Sequence, residues 1–277
     1  MDEEVPVTHA PQLRLPHAAS AKRADRMLAV LRSVNTRGGV ALTDLAAELR
    51  VSAATLRRDL AEMEDQGLLI RTHGGARPQA VHDEVPVHLR DLEAREAKRR
   101  IALRAAELIP AGPYAVALTG GTTTAEIARA LSRRPQLTII TNALTIALEL
   151  AARPTTKVIL TGGMVRSTSF EAVGVLAENT FKAVNVGTAV LGVDGISAAG
   201  GATTHDEVEA RTNNAMVGHA QRVMVVADGS KVGRITFAQM AEVRSIDSLV
   251  TDTTADPDEL DRLRAAGVTV HLVEPHR

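Results

Sequence analysis

From residue 114 onward the chain repeats one pattern: a short apolar run, a turn, then a helical stretch. The apolar runs lie at 114–118, 137–141, 157–161, 188–193, 222–227, 247–251 and 268–273. Helical patterns fit 123–133, 143–152, 170–180, 205–219 and 256–266. Parallel strands cannot be joined by a tight turn and need a crossover, usually a helix. Strand–helix alternation at this spacing therefore predicts an α/β fold, a mostly parallel sheet covered on both faces.

That pattern does not use the whole chain. The 277 residues are long for one domain and comfortable for two. Hydrophobic residues make up 45% and charged residues 23%, as in an ordinary globular chain. There is no cysteine, which excludes a disulfide framework, Cys-ligated zinc, iron–sulfur clusters and thiol catalysis. The four aromatics are Tyr114, Phe170, Phe181 and Phe237. A protein that stacks single-stranded bases on aromatic platforms is thus not expected. No apolar run approaches a membrane span, and the acidic start at Met1 lacks the apolar region of a secretory signal. The expectation is a cytoplasmic protein with no membrane partner and no bound cofactor or metal. The nine histidines include no pair three to five residues apart on a helix, which argues against a zinc site.

Four regions are expected: a disordered arm over 1–19, a small domain over 20–77, a linker over 78–86 and a large domain over 87–277. Net charge is −1 overall, yet residues 20–77 hold ten Lys/Arg against seven Asp/Glu. The positive charge is concentrated at the N-terminal side. A first helix is expected from Ser20 as N-cap to about Asn35, stopped by Gly38–Gly39. A second begins after Thr43 as N-cap, and Ser52 caps a third that ends at Gly67. Residues 68–76 then read as two short strands around a glycine turn. From Val87 to Ile109 one helix leads into the large domain.

Two short helices joined by a three- to four-residue turn form a helix-turn-helix, and the strand pair adds a wing. The second helix of such a unit reads DNA with its N-terminal residues. Here Leu56, Leu60 and Met63 are needed for the core, which leaves Ser52, Ala53, Thr55, Arg57 and Arg58 to face outward, with Thr43 on the preceding helix. Arginine reads guanine with two hydrogen bonds or clamps a phosphate. Arg71, His73 and Arg77 make the wing basic, and Gly74 lets its tip approach a phosphate. A pair of arginines alone is more often a solvated helix face; the whole arrangement points to double-stranded DNA.

The large domain carries polar or glycine-rich loops after successive apolar runs, where ligands of open α/β sheets bind. Gly120, Gly121, Thr122, Thr123 and Thr124 sit between a strand and a helix, a pattern that binds a phosphate through backbone N–H groups and hydroxyls. The loop lacks the Gly-Lys-Ser/Thr ending of a nucleoside-triphosphate loop, so a monophosphate suits it better. Further candidates on later loops are Asn142, Gly162, Gly163, Arg166, Asp194, Thr203 and Lys231. Lys231 offers charge to a phosphate. Asp194 and Asp228 either accept sugar hydroxyls or cap local turns.

The stretch Val51–Leu60 (VSAATLRRDL) followed by Gly67–Ala76 (GLLIRTHGGA) resembles the DeoR/GlpR family of bacterial transcriptional regulators, and the likeness runs from about residue 20 to 273. The resemblance implies a winged helix-turn-helix followed by a sugar-phosphate sensor similar in fold to ribose-5-phosphate isomerase and glucosamine-6-phosphate deaminase. It implies a repressor of carbohydrate-catabolism genes, released from operator DNA by a phosphorylated sugar effector and acting as a homo-oligomer, dimer or tetramer. Two departures from the family pattern bear on which sugar is sensed. Thr119–Gly120 stand where the family often has Asp-Ser, and Asn213–Asn214 where members often carry lysine. The alternative is a sugar-phosphate isomerase or deaminase with a fused DNA-binding domain. Such an enzyme needs an acid/base pair in its pocket. The isomerase pattern has further acids just after Asp194, and Gly195-Ile196-Ser197 follow it instead.

Overall fold

The computed structural model describes residues 21–79, 84–90, 94–153 and 156–274. The arm over 1–19, the cap at Ser20 and part of the linker lie outside the described residues. The chain divides into two compact units between Arg77 and Pro78.

The first unit contains α1 (Ala21–Arg37), β1 (Val40–Ala41), α2 (Leu42–Leu49), α3 (Ala53–Asp65), β2 (Leu69–Thr72) and β3 (Gly75–Pro78). Met27, Leu31, Leu45, Leu56, Leu60 and Met63 are buried. The three strands form one sheet in the order β1-β3-β2. The two-residue strand β1 was not expected, because Val40–Ala41 is too short to show an alternation. It explains Gly75, where a Cβ would lie 2.0 Å from the Val40 carbonyl oxygen. The expected cap at Thr43 is a misreading: α2 starts at Leu42 with Ala41 as N-cap, and no side chain caps it. Thr43 stands in the first turn of the helix, exposed, with its hydroxyl 3.3 Å from Asp44 Oδ1.

In the second unit the helix expected over 87–109 is interrupted. Among the described residues of this stretch, α4 (Val87–Arg90) and α5 (Arg95–Leu108) are helical, and Ala94, just before α5, has φ 49°, in the left-handed region. Then follow β4 (Tyr114–Leu118), α6 (Thr122–Leu131), β5 (Leu137–Thr141), α7 (Leu144–Ala151), β6 (Lys157–Leu160), β7 (Met164–Val165), β8 (Ala172–Val173), α8 (Val175–Lys182) and β9 (Thr188–Gly192). The chain continues through β10 (Gly195–Ser197), β11 (Gly201–Thr204), α9 (Glu207–Val217), β12 (Val223–Val226), β13 (Ala238–Ala241), β14 (Ser248–Asp252), α10 (Pro257–Ala265) and β15 (Thr269–Val273).

All seven apolar runs enter one parallel sheet, in the order β15-β14-β12-β9-β4-β5-β6. Alternate residues of each strand face opposite sides, and the two cores follow that rule. Val116, Leu118, Met224 and Val226 pack on one face with Ile101 and Ala105 of α5 and Ile127 of α6. Ala117, Val223 and Val225 pack on the other with Phe181, Met216 and Leu263.

The expected helix over 170–180 starts too early. Ala172–Val173 is a strand paired with β7, and α8 begins only at Val175. A three-stranded sheet, β10-β11-β13, was also not foreseen. Its strands are rich in Gly, Ala, Ser and Thr, so no apolar alternation announces them. Among the described residues no helix is long and apolar enough to cross a membrane.

Candidate functional site

In the first unit, Ser52 lies just outside α3, and its hydroxyl accepts the Thr55 N–H at 3.1 Å, a side-chain N-cap. This fixes the start of the helix whose exposed face carries Arg57 and Arg58. Neither arginine forms an ion pair among the described residues. Arg23 and Arg26 of α1 are different. Both bind the buried carboxylate of Asp59, at 2.9 and 2.6 Å, and Arg23 also pairs with Glu62. These two arginines join α1 to α3 and contribute less free positive charge than the sequence count suggests. On the wing, Arg71, His73, Gly74 and Arg77 are exposed. Arg71 is anchored to Glu64, which accepts its backbone N–H at 3.1 Å. A Cβ at Gly74 would meet nothing within 4 Å, so the wing tip is open. The structure thus presents a capped helix start and a basic hairpin, with Ala53 and Thr55 half-buried beside them.

The second unit has its candidate site where the sheet topology changes direction. The chain places β5 and β6 on one side of β4, then returns to add β9 and β12 on the other. The loops after β4 and β9 diverge at this switch point, and the crevice at the carboxyl ends of such strands binds ligands. A pocket opens there. Its walls include Gly120, Gly121, Thr122 and Thr123 after β4, Gly192 to Asp194 after β9, and Asp228 and Lys231 after β12. Gly121, at φ 122°, is the N-cap of α6, and no side chain caps that helix. Its first N–H groups are therefore not taken up by a side-chain cap, the condition for anion binding at a helix start. The loops are tied together by Thr119, whose Oγ1 accepts the Gly192 N–H at 2.9 Å.

Six of the twelve effector candidates line this pocket: Gly120, Gly121, Thr122, Thr123, Asp194 and Lys231. The other six do not. Thr124 donates its hydroxyl to the Gly121 carbonyl at 2.9 Å. Asn142 is buried and donates to Asn213 at 3.1 Å, while Asn214 donates to the Met240 carbonyl at 2.8 Å. Asn213 is thus buried with an internal partner, while Asn214 is exposed and tied to β13. Thr203 donates to the Gly195 carbonyl at 3.2 Å. Gly162 and Gly163 lie after β6, two strands from β4 and three from β9. Arg166 is bound by three carboxylates, Glu84 at 2.7 Å, Asp206 at 3.3 Å and Glu209.

Sequence reasoning missed Arg90, Lys98, Glu171 and Glu209, which also line the pocket. Arg90 pairs with Asp194 at 2.7 Å and with Glu84 at 3.4 Å, and its peptide oxygen accepts Lys98 Nζ at 2.7 Å. Its Nε is buried without a hydrogen-bond partner among the described residues. These residues come from segments far apart in sequence, and no local motif marks them.

The electrostatics separate the two lining aspartates. Burial works against the charge of Asp194, but Arg90, then Lys231 and His205, outweigh it and hold its carboxyl below the ordinary value. Asp228 caps the single turn that carries Lys231, accepting the Ser230 N–H at 3.2 Å. The capping reading therefore holds for Asp228, while Asp194 is a charged wall of the pocket. Burial lowers Lys231 from its ordinary value, partly offset by Asp194. For Arg166, burial opposes the charge, but the Glu84 hydrogen bond and the charges of Glu209, Glu84 and Asp206 raise it further above the usual arginine value. The pocket is thus a small polar cleft with cations, carboxylates and backbone donors, suited to an anionic, hydroxylated ligand.

Two family descriptions match the chain. The DeoR-like helix-turn-helix domain covers residues 25–80, and the DeoR C terminal sensor domain covers residues 93–253. The HTH-type transcriptional regulator GlpR of Haloferax volcanii is 38% identical over 248 residues, 89% of this chain and 96% of that protein. The glycerol-3-phosphate regulon repressor of Escherichia coli (strain K12) is 33% identical over 231 residues, 83% of this chain and 91% of that protein. Among solved structures, ribose 5-phosphate isomerase from Plasmodium falciparum aligns with 51% of this chain and 53% of its own, at 10% identity and a TM-score of 0.36.

Proposed function

Because the chain belongs to the DeoR family of transcriptional regulators, we propose that it is a cytoplasmic repressor of carbohydrate-catabolism genes, released from operator DNA by a phosphorylated sugar. Family membership sets aside the isomerase or deaminase alternative, since the family consists of regulators and not enzymes. The DNA side of the reading is carried by Arg57 and Arg58, exposed and, among the described residues, without ion-pair partners beside a capped helix start. Arg57 and Arg58 contact base edges or phosphates, and Arg71, His73 and Arg77 of the wing contact the backbone. Relatives named as repressors of the glycerol-3-phosphate regulon and as GlcR support the direction of control.

The effector side rests on the pocket at the switch point. The phosphate lies on the Gly120–Thr123 loop with Lys231 as its point charge, and Asp194 accepts a sugar hydroxyl. Arg90 is the second cation; its Nε has no hydrogen-bond partner among the described residues. The chain acts as a homo-oligomer, a dimer or tetramer, so that two recognition helices address two half-sites about one helical turn apart. A sugar phosphate releases DNA to the extent that it binds the released form more tightly than the DNA-competent form.

The experiment is a thermal-shift screen of the purified protein against pentose, hexose and amino-sugar phosphates, each beside its unphosphorylated sugar. Stabilisation by a phosphorylated sugar alone, lost in Lys231→Ala, is the expected result. Stabilisation by the unphosphorylated sugars, or by none of the panel, contradicts the effector class.

A further inference from the structure

Two carboxyl groups on the pocket wall have no part in holding a phosphate. Glu171 is 2% exposed, and its Oε1 accepts the Gly120 N–H at 2.6 Å. It packs so tightly on this loop that a Cβ at residue 120 would lie 2.5 Å from its Cγ. The loop assigned to the effector anion thus already holds a carboxyl group on one of its donors. Glu209 of α9 is buried on the same pocket. Its cation is Arg166, and that one guanidinium also serves Glu84 and Asp206. Arg90 and Lys98, the cations on the adjoining wall, are engaged with Asp194, Glu84 and a peptide oxygen. Carboxyl groups outnumber the cations placed to balance them.

Thr204 counts the protons. Its Oγ1 is 3.1 Å from Asp194 Oδ2 and 2.7 Å from Glu209 Oε1. A hydroxyl has a single hydrogen to donate. Two full hydrogen bonds require one of the two carboxyls to carry a proton of its own; with both charged, the two oxygens must share a single hydrogen. Asp194 is paired with Arg90 at 2.7 Å and stays charged. Glu209 is therefore the one of the two that can take that proton, and Glu171, on the same pocket wall, acts on it through its charge. Burial pushes Glu209 well above the usual carboxylate value, the charge of Glu171 adds to this, and Arg166 opposes it. Burial likewise raises Glu171, against the hydrogen bond from Gly120.

We propose that Glu171 and Glu209 together hold one exchangeable proton, and that an anion filling the pocket beside Gly120 binds together with that proton. This inference rests on the effector-pocket reading above. An anion brought beside two carboxylates is repelled by both; when the pair is protonated, one of those charges is gone. Linkage makes the effect reciprocal, so the bound anion also draws a proton onto the pair. Anion affinity is highest while the pair keeps its proton. It falls as pH rises through the value of the empty pocket, by up to about tenfold per pH unit for one proton.

The probe is inorganic sulfate, which resembles phosphate and keeps its charge from about pH 5.5 to about pH 8.5, outside its own ionisation range. Full-length protein is titrated calorimetrically across that range, and at one pH in two buffers of different ionisation enthalpy. The expected result is affinity that falls with rising pH, and uptake of up to about one proton per sulfate bound. In Glu209→Gln, whose amide keeps a hydrogen bond to Thr204, both effects should shrink by at least half. Where that variant does not fold, Glu171→Gln makes the same comparison. Affinity independent of pH with no proton uptake overturns the inference and leaves the pocket standing. So does a pH dependence unchanged in the glutamine variants, which would place the titration on another group of the pocket. Absence of sulfate binding at every pH overturns the pocket reading and this inference with it.

Discussion

In the N-terminal unit the buried carboxylate of Asp59 takes up Arg23 and Arg26, and Arg57 and Arg58 are left exposed and, among the described residues, without ion-pair partners. In the C-terminal unit Arg90 and Arg166 sit on the pocket wall or behind it, each shared between carboxylates. The two arrangements suit two kinds of anion. A polyanion such as DNA is met by exposed charge, and the binding gains from released counterions. A small anion entering this pocket meets carboxylates already in place. Such a site discriminates among ligands, because an anion that cannot replace the existing hydrogen bonds loses more than it gains.

The largest expected effect lies where a buried charge holds structure. Asp59→Ala leaves Arg23 and Arg26 facing a cavity, and about 3 kcal/mol of stability should be lost from the N-terminal unit, seen as a lower midpoint in chemical denaturation. The loss is at the lower end for a broken buried pair because both arginines are partly exposed. If the variant is as stable as the parent, the division between structural and DNA-facing arginines is wrong. Next comes Arg58→Ala, expected to weaken operator binding by roughly 1–3 kcal/mol while sugar-phosphate binding is unchanged. The salt dependence of DNA affinity should fall by about one unit of log–log slope if the lost contact is to a phosphate. Lys231→Ala should do the reverse, costing about tenfold or more in effector affinity and leaving DNA binding intact. Either substitution abolishing both activities in a folded protein would erase the contrast between the units. A smaller change is Ser52→Ala, which removes the cap of α3 and should destabilise the unit by about 1 kcal/mol. The smallest concerns acid. Asp194 is held below its ordinary value, so its contribution to stability is present above the unfolded-chain value of about 3.9 and is lost as pH falls through the folded one. Asp194→Asn should flatten that part of the acid-unfolding curve.

Local signals explain what the sequence disclosed. Each of the seven sheet strands is a compact apolar run, and Ser52 caps α3 because the hydroxyl and Thr55 are three residues apart. Gly120 and Gly121 were identifiable because a glycine pair between strand and helix has a local purpose. Strands β10 and β11 were not, since Gly195–Ser197 and Gly201–Thr204 are held by cross-strand pairing and carry little apolar pattern. Glu171, which meets the Gly120 N–H from 51 positions away, looks in sequence like any glutamate. Arg90 was hidden inside a helix expected to run unbroken to Ile109, and its role appears only once the turn at Ala94 and the pairing to Asp194 are seen. Arg166 followed a glycine pair and so resembled a ligand residue, but its charge is spent on Glu84, Asp206 and Glu209.

The most direct test of the account is fluorescence anisotropy of labelled DNA from upstream of the protein's own gene, at fixed salt, with sugar phosphates titrated into the complex. The account predicts a specific complex that one sugar phosphate dissolves, with that sugar phosphate recovered chemically unchanged. A tight complex that no sugar phosphate disturbs, or one dissolved equally by unphosphorylated sugars, would contradict it.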